Sequence, residues 1–349
     1  MANELDALLD GAARALQEGD AEEALAIADR ALTRAPSDAG ALHLRAAALA
    51  DLGRGEEAAE AYRLALRRRG EDADLLLDAA DFFLNRADPE PDREDLEEAL
   101  ALARRGSRLS RGAAAPLAGE FALVEGQALA ALGDARDALA RFTEARKALP
   151  DDAGVLVERG LALFELCRFE DAEADLRQAL RLAPEDAWAH HALARVLERL
   201  GRAEEAERHF DRARELAPQD FPAPISMSAE EFEKVVEDAL ESIPEPVRRY
   251  LANVAITVED LPSEEELLAS DPPLSPSILG IFRGAPIQQK GSMDPWSHFP
   301  SSISLYQRNL EAFARDRDDL VDEIGVTLVH EVGHFLGLDE EQLWERGLG

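Results

Sequence analysis

A recurrence at a shift of 34 residues constrains this chain more than any other feature. Gly19, Ala24, Ala28, Ala31 and Pro36 return as Gly53, Ala58, Tyr62, Ala65 and Gly70. The set comes back as Gly133, Ala138, Phe142, Ala145 and Pro150, then as Cys167, Ala172, Leu176, Ala179 and Pro184, and finally as Gly201, Ala206, Phe210, Ala213 and Pro218. A period of this size means one supersecondary unit stacked on copies of itself. The residue types say which unit. Alanines at fixed offsets let two antiparallel helices approach closely, and the large residue, Phe142 or Phe210, fills the space toward the next copy. The glycine makes the turn between helices, and the proline stops the second helix before the next begins.

The pattern resembles the tetratricopeptide repeat, a helix–turn–helix unit, and Gly126 and Gly160 match the small position of its first helix. Repeats run at 5–38, 39–72, 119–152, 153–186 and 187–220, with a degenerate one at 73–118, so the array takes residues 1–220. Within 73–118, Ala73 to Asn85 reads as a first helix and Arg93 to Arg105 as a second. Between them, 86–92 is an insertion loop with two prolines. Residues 106–116, rich in Gly, Ser, Ala and Arg, read as a connector that is either a break in the array or a long loop. Stacked repeats form a superhelix whose concave face binds extended peptides. A protein or peptide partner on that face is therefore expected, with scaffolding or self-association as the alternative. The first helices carry no evident Lys/Arg cluster for a peptide carboxylate. Trp188, His190 and His191 read as surface or packing residues.

The chemistry lies near the C-terminus, in His330-Glu331-Val332-Gly333-His334. On a helix, residues i and i+4 share a face, so both imidazoles can present a nitrogen to one ion. Glu331 points to an adjacent side and can act as a base toward water without being a ligand. The apolar flanks suit a packed helix with one strip open to a cleft. That helix is expected to start near Arg315–Asp319, where acidic residues suit its positive end, and to stop at Gly337. Asp339, Glu340 and Glu341 follow at once and offer a third ligand.

His330 to Leu343, HEVGHFLGLDEEQL, resembles the signature of the small bacterial minimal-zincin metallopeptidases. The similarity extends to Ala252–Asp260, Leu279–Gly284 and Ile303–Tyr306, which resemble that family's strand segments, and covers about 226–349. The resemblance implies a Zn2+ ion held by His330, His334 and a carboxylate three residues beyond the glycine. Here that position is Glu340, where the family has Asp, and Asp339 stands one residue early. The ligand is Glu340 by register or Asp339 by residue type. Glu341 matches the family's following Glu, with a supporting role. The resemblance also implies peptide-bond hydrolysis with Glu331 as proton carrier, a substrate paired with an exposed edge strand beside the metal, taken as Ser302–Tyr306, and Tyr306 as a weaker catalytic candidate that could donate to an oxyanion or simply pack. His298, in the loop 284–300, is a possible substrate contact.

The expected architecture is thus two-domain: an all-α tetratricopeptide-repeat solenoid, then a small α+β minimal zincin domain at 226–349. In that domain Ser228 and Glu231 suggest a capping box. Two functions compete, a zinc metallopeptidase whose repeats recruit partners and a non-catalytic binding scaffold that retains only metal binding. The net charge of −34 repels nucleic acid phosphates and anionic membranes, so neither is expected as a partner, and nothing calls for an obligate oligomer. The single cysteine, Cys167, excludes an intrachain disulfide and reads as turn packing. With no signal peptide and no apolar run long enough to span a bilayer, the cytoplasm is the expected compartment.

Overall fold

The computed structural model describes residues 2–86, 92–110, 115–252, 254–284, 301–338 and 342. It packs as two compact units, residues 1–163 with 170–184, and residues 164–169 with 185–349.

Helical hairpins build the first unit. They are α1 (Ala2–Gln17) with α2 (Ala21–Arg34), α3 (Ala39–Asp51) with α4 (Gly55–Arg68), α5 (Ala73–Asn85) with α6 (Arg93–Leu109), α7 (Ala115–Ala131) with α8 (Ala135–Ala148), and α9 (Ala153–Glu165) with α10 (Phe169–Leu182). The recurring alanines are where helices touch. Ala24, Ala28, Ala31, Ala58, Ala65, Ala138, Ala145, Ala172 and Ala179 are all fully buried. Aspartates open many of the helices. Asp20, Asp38, Asp72 and Asp134 each accept a hydrogen bond from the backbone N–H three residues on, satisfying donors that the first turn leaves unpaired. The turns between paired helices take the left-handed conformation, φ +79° at Gly19, +69° at Gly53 and +85° at Gly133. Cys167 stands at the same position with φ +56°, where a β-carbon is disfavoured.

Where it is described, at 106–110 and 115–116, the expected connector is mostly helix. α6 runs through Gly106 to Leu109, and α7 begins at Ala115. Gly106 is glycine because a β-carbon there would lie 2.0 Å from the Phe121 ring. Gly126 has the same relation to Phe142, at 2.5 Å, and Gly160 to Leu176, at 2.8 Å. At Gly126 and Gly160 the small position of the first helix is thus a socket for a large side chain of a neighbouring helix, and Gly106 on α6 plays the same part toward α7. The expected insertion at 86–92 falls largely outside the described residues.

The second unit holds the last hairpin, α11 (Ala187–Arg199) and α12 (Ala203–Leu216), with turn Gly201 at φ +72°. After it come α13 (Ala229–Ser242), α14 (Glu245–Leu251), β1 (Ala255–Glu259), α15 (Glu264–Leu267), β2 (Gly280–Arg283), β3 (Ser302–Tyr306), α16 (Gln307–Phe313) and α17 (Arg317–Phe335). The repeat period ends at 220, yet the last hairpin packs with the region that follows. Arg195 lies over the Phe164 ring at 4.4 Å and donates to Ser277. Arg199 donates to the Pro262 carbonyl at 2.5 Å, and Glu198 pairs with Arg308 at 2.8 Å.

The expected capping box is present at α13, with Ser228 and Glu231 bonded reciprocally. The sheet has the order β1-β3-β2, with β1 parallel and β2 antiparallel to β3. β3 is therefore central, with both ladders occupied. The expectation that Ser302–Tyr306 is an open edge is corrected, because a strand paired on both sides has no free N–H or C=O groups for a peptide. Alternation gives β3 two faces. Ile303 and Leu305 join a core with Phe232 and Val236 of α13 and Ile324, Leu328 and Val332 of α17, while Ser304 and Tyr306 point the other way. No helix among the described residues is long and apolar enough to cross a membrane.

Candidate metal centre

α17 carries the histidines, and its sequence fixes both of its ends. Asp316 caps the start, accepting from the N–H groups of Asp318 at 3.0 Å and Asp319 at 2.9 Å. Leu320, Ile324, Leu328 and Val332, spaced four apart, form the buried stripe that holds the helix in place. At the other end Gly337 takes φ +81°. There its N–H bonds the His334 carbonyl at 2.9 Å, and the Leu338 N–H bonds the Gly333 carbonyl at 3.0 Å. The helix stops where the sequence places its glycine.

The two imidazoles converge. His330 Nε2 and His334 Nε2 are 3.1 Å apart, with ring centroids 4.8 Å apart and planes at 80°. On its other side His334 Nδ1 lies 3.2 Å from the Leu338 carbonyl oxygen. A carbonyl only accepts, so Nδ1 donates, and Nε2 is turned toward His330. The Gly337 turn delivers that carbonyl. Glu331, one residue on and about 100° round the helix, is buried at 6% exposure. Asp339, Glu340 and Glu341 lie outside the described residues, as do Trp296 and His298. Among the described residues, no group of three or more His, Cys, Asp or Glu that could hold a metal is formed.

Strand β2 runs beside this helix. A β-carbon on Gly280 would lie 2.8 Å from Thr327 Cγ2, one turn before His330, and the Phe282 ring meets Phe335 with centroids 5.6 Å apart. Among the described residues β2 pairs on one side only, so it, and not β3, is the edge strand packed against Thr327 and Phe335 of α17.

Tyr306 lies elsewhere. It is fully buried, and its hydroxyl donates to Glu266 Oε1 at 3.2 Å. It belongs to a polar cluster on the sheet face opposite Ile303 and Leu305, where Arg283 binds both Glu266 and Glu259, the latter at 3.0 Å. Burial, then the Glu266 charge, pushes the Tyr306 phenol well above its ordinary range. Burial works to raise the Glu266 carboxyl, but hydrogen bonds from Arg283 and Ser263 hold it below the usual carboxylate value. Tyr306 thus anchors the 263–283 segment, a role the sequence reading missed. The Ser263–Glu266 capping box was its readable trace.

Two further residues pack as expected. Burial pushes the Cys167 thiol up, against thiolate chemistry, and His191 stacks on Phe221 at 4.6 Å.

With this geometry in view, comparison with known proteins separates the two regions. Residues 251–348 match the zincin-like metallopeptidase family. Residues 9–74 and 151–219 match tetratricopeptide repeats. The zincin-like match thus covers the strands, α17 and the histidine pair, and the solenoid precedes it. No curated protein matches the chain. Among solved structures, PilF of Pseudomonas aeruginosa is 19% identical, with a TM-score of 0.53, over 66% of this chain and 96% of that one. PilW, a type IV pilus biogenesis factor, is 18% identical at TM-score 0.54, over 66% and 98%. Cut9 with Hcn1 of the APC/C is 19% identical at TM-score 0.51, over 62% and 40%. At such identities these likenesses speak to the fold alone. The zincin-like domain points to a metallopeptidase and the repeats point to protein binding.

Proposed function

We propose that residues 226–349 form a zinc-dependent peptidase domain that hydrolyses peptide bonds, and that the repeats of 1–220 recruit its protein substrates or partners on their concave face. The observation that carries the proposal is the meeting of the His330 and His334 Nε2 atoms at 3.1 Å. Two nitrogens on one tetrahedral zinc, each at about 2.0–2.1 Å, stand about 3.3 Å apart, so the pair fits that ion with little adjustment. His330, His334 and one tail carboxylate, Glu340 with Asp339 as the alternative, would hold it. Glu341 would orient a ring or the turn.

When bound, zinc polarises a carbonyl and acidifies water toward neutral pH. The residues of the chain do the rest. Glu331, held by its buried setting, takes the proton from attacking water and delivers it to the leaving amine. The one-sided β2 edge offers N–H and C=O groups to an extended peptide, which lays its backbone along the histidine turn. Tyr306 has no place in this scheme, since its hydroxyl serves Glu266 on the far side of the sheet.

Metal analysis after zinc reconstitution should give one zinc per chain. In a peptide-cleavage assay Glu331→Gln should retain zinc yet lose about 10²–10⁴-fold in rate. If wild type binds zinc stoichiometrically but cleaves no better than Glu331→Gln, the domain is a metal-binding scaffold.

A further inference from the structure

A cavity of about 450 Å³ opens in the first unit between α3, α4 and α5, a volume suited to a side chain or small ligand. Asp51, Asp78 and Asp81 line it with the rings of Tyr62 and Phe82. Tyr62 is only 3% exposed, and among the described residues its hydroxyl makes no hydrogen bond. The hydroxyl itself is not enclosed, since among the described residues only Arg199 Nε and Ser301 Oγ are buried without a partner, and it opens into the cavity that Tyr62 lines. Burial, and then the charges of Asp78, Asp51 and Asp81, push its pKa up. The two rings meet at 5.0 Å between centroids.

The charge in this cavity is poorly balanced. His43 Nε2 reaches Asp78 at 2.7 Å, and Asn85 Nδ2 donates to Asp81 at 3.0 Å. Arg86 also lines the cavity, but its guanidinium is bound to Asp95 and Glu56. Asp51 has no ion-pair partner among the described residues. Burial and the neighbouring Asp78 raise the Asp81 carboxyl, against the hydrogen bond from Asn85 that lowers it. Three carboxylates and two aromatic rings lining one cavity suit an organic cation. A bare divalent ion would instead need oxygens closed around it.

We propose that this cavity binds the cationic side chain, lysine or arginine, of a partner peptide. The proposal adds a ligand class to the reading of the repeats as a partner-binding surface and rests on it, but not on the metal centre. It is tested on the full chain, with chelator present, by calorimetric titration of capped peptides Ser-Gly-X-Gly-Ser in which X is arginine, lysine or citrulline. Arginine and lysine should saturate one site, with citrulline at least about tenfold weaker, since it keeps the shape and loses the charge. Asp78→Asn with Asp81→Asn should weaken binding about tenfold, and Tyr62→Phe, which keeps the ring, about threefold. Glu230→Gln with Glu233→Gln, the same charge loss on α13, should change nothing. Circular dichroism confirms that each variant is folded.

Equal binding of citrulline overturns the proposal, as does an equal loss in the α13 pair, which would mean diffuse attraction. Failure to saturate by about 10 mM also overturns it. So does a chelator-free calcium titration giving a stoichiometric site that the Asp pair abolishes and the arginine peptide does not compete for. Because the titration reads the cavity directly, any of these failures leaves partner binding elsewhere on the repeats untouched.

Discussion

Replacing helical glycines by alanine sets two physical effects against each other, and the structure says which wins at each position. Alanine in a helix interior is favoured over glycine by about 1 kcal/mol. Overpacking a core costs about 1–3 kcal/mol. At Gly11 the nearest atom to a new β-carbon is on Ile27 at 3.7 Å, an ordinary contact, so propensity wins and Gly11→Ala should stabilise by about 1 kcal/mol. At Gly106 the new carbon meets three Phe121 atoms at 2.0–2.5 Å, and Phe121 is fully buried. Packing then costs about 3 kcal/mol, and Gly106→Ala should destabilise by about 2 kcal/mol net. For a unit of this size these are shifts of about +2–4 °C and about −4–8 °C. Phe121→Leu combined with Gly106→Ala should recover part of the loss, a coupling of about 1–2 kcal/mol. Thermal unfolding of the full chain by circular dichroism at 222 nm, with the two units' transitions fitted separately, reads these three variants and Phe121→Leu alone. If Gly106→Ala melts at or above wild type, or the double variant merely adds the single effects, the socket argument fails.

Four other outcomes are expected. Burial, then the charges of Arg195 and Arg214, lowers the His191 pKa from 6.5 to about 4, so the unfolded chain takes up its proton first. This contribution to stability is complete above the unfolded value and is lost as pH falls toward 4; His191→Phe should flatten that part of the melting profile, and an unchanged slope would discard the assignment. Cys167→Gly should raise the melting temperature by relieving about 1 kcal/mol of left-handed strain, and a fall would show that the thiol's contact with the Leu274 carbonyl at 3.7 Å matters more. Glu340→Ala should weaken zinc binding by orders of magnitude and Asp339→Ala should not; the reverse result would move the ligand by one residue. A 185–349 fragment should melt above a 226–349 fragment, which lacks Arg195, Glu198 and Arg199, and equal melting would mean these contacts contribute nothing.

The sequence carried the repeats and α17 because close helix contact admits only small residues and a two-histidine face admits one spacing. It did not carry Gly106, whose reason, Phe121, lies on the next helix, so a Gly/Ser/Arg-rich string passed for a loop. α14 and α16 are seven residues each, too short for a 3.6-residue period to register. Alternation in Ser302–Tyr306 told the two faces of the strand apart, but faces say nothing about neighbours. The crossover that puts β3 between β1 and β2 is a matter of chain path. Tyr306 was left open between catalysis and packing for the same reason, since only the sheet order and the helix beside it reveal which face looks away from the histidines.

The last hairpin spends Arg195, Glu198 and Arg199, all on its first helix, on the chain's own 262–308 region. A repeat so engaged is a terminus in the evolutionary sense. Units upstream of residue 153 can be duplicated, lost or exchanged, since each needs only a neighbour of the same pattern, whereas the 153–186 repeat already meets the following region through Cys167 and Leu274. The hairpin at 187–220 cannot be treated that way without removing a support of the region behind it. Related chains should therefore vary in repeat number upstream while their final repeat changes together with the segment it holds, and an engineer extending the array should insert new units before residue 153.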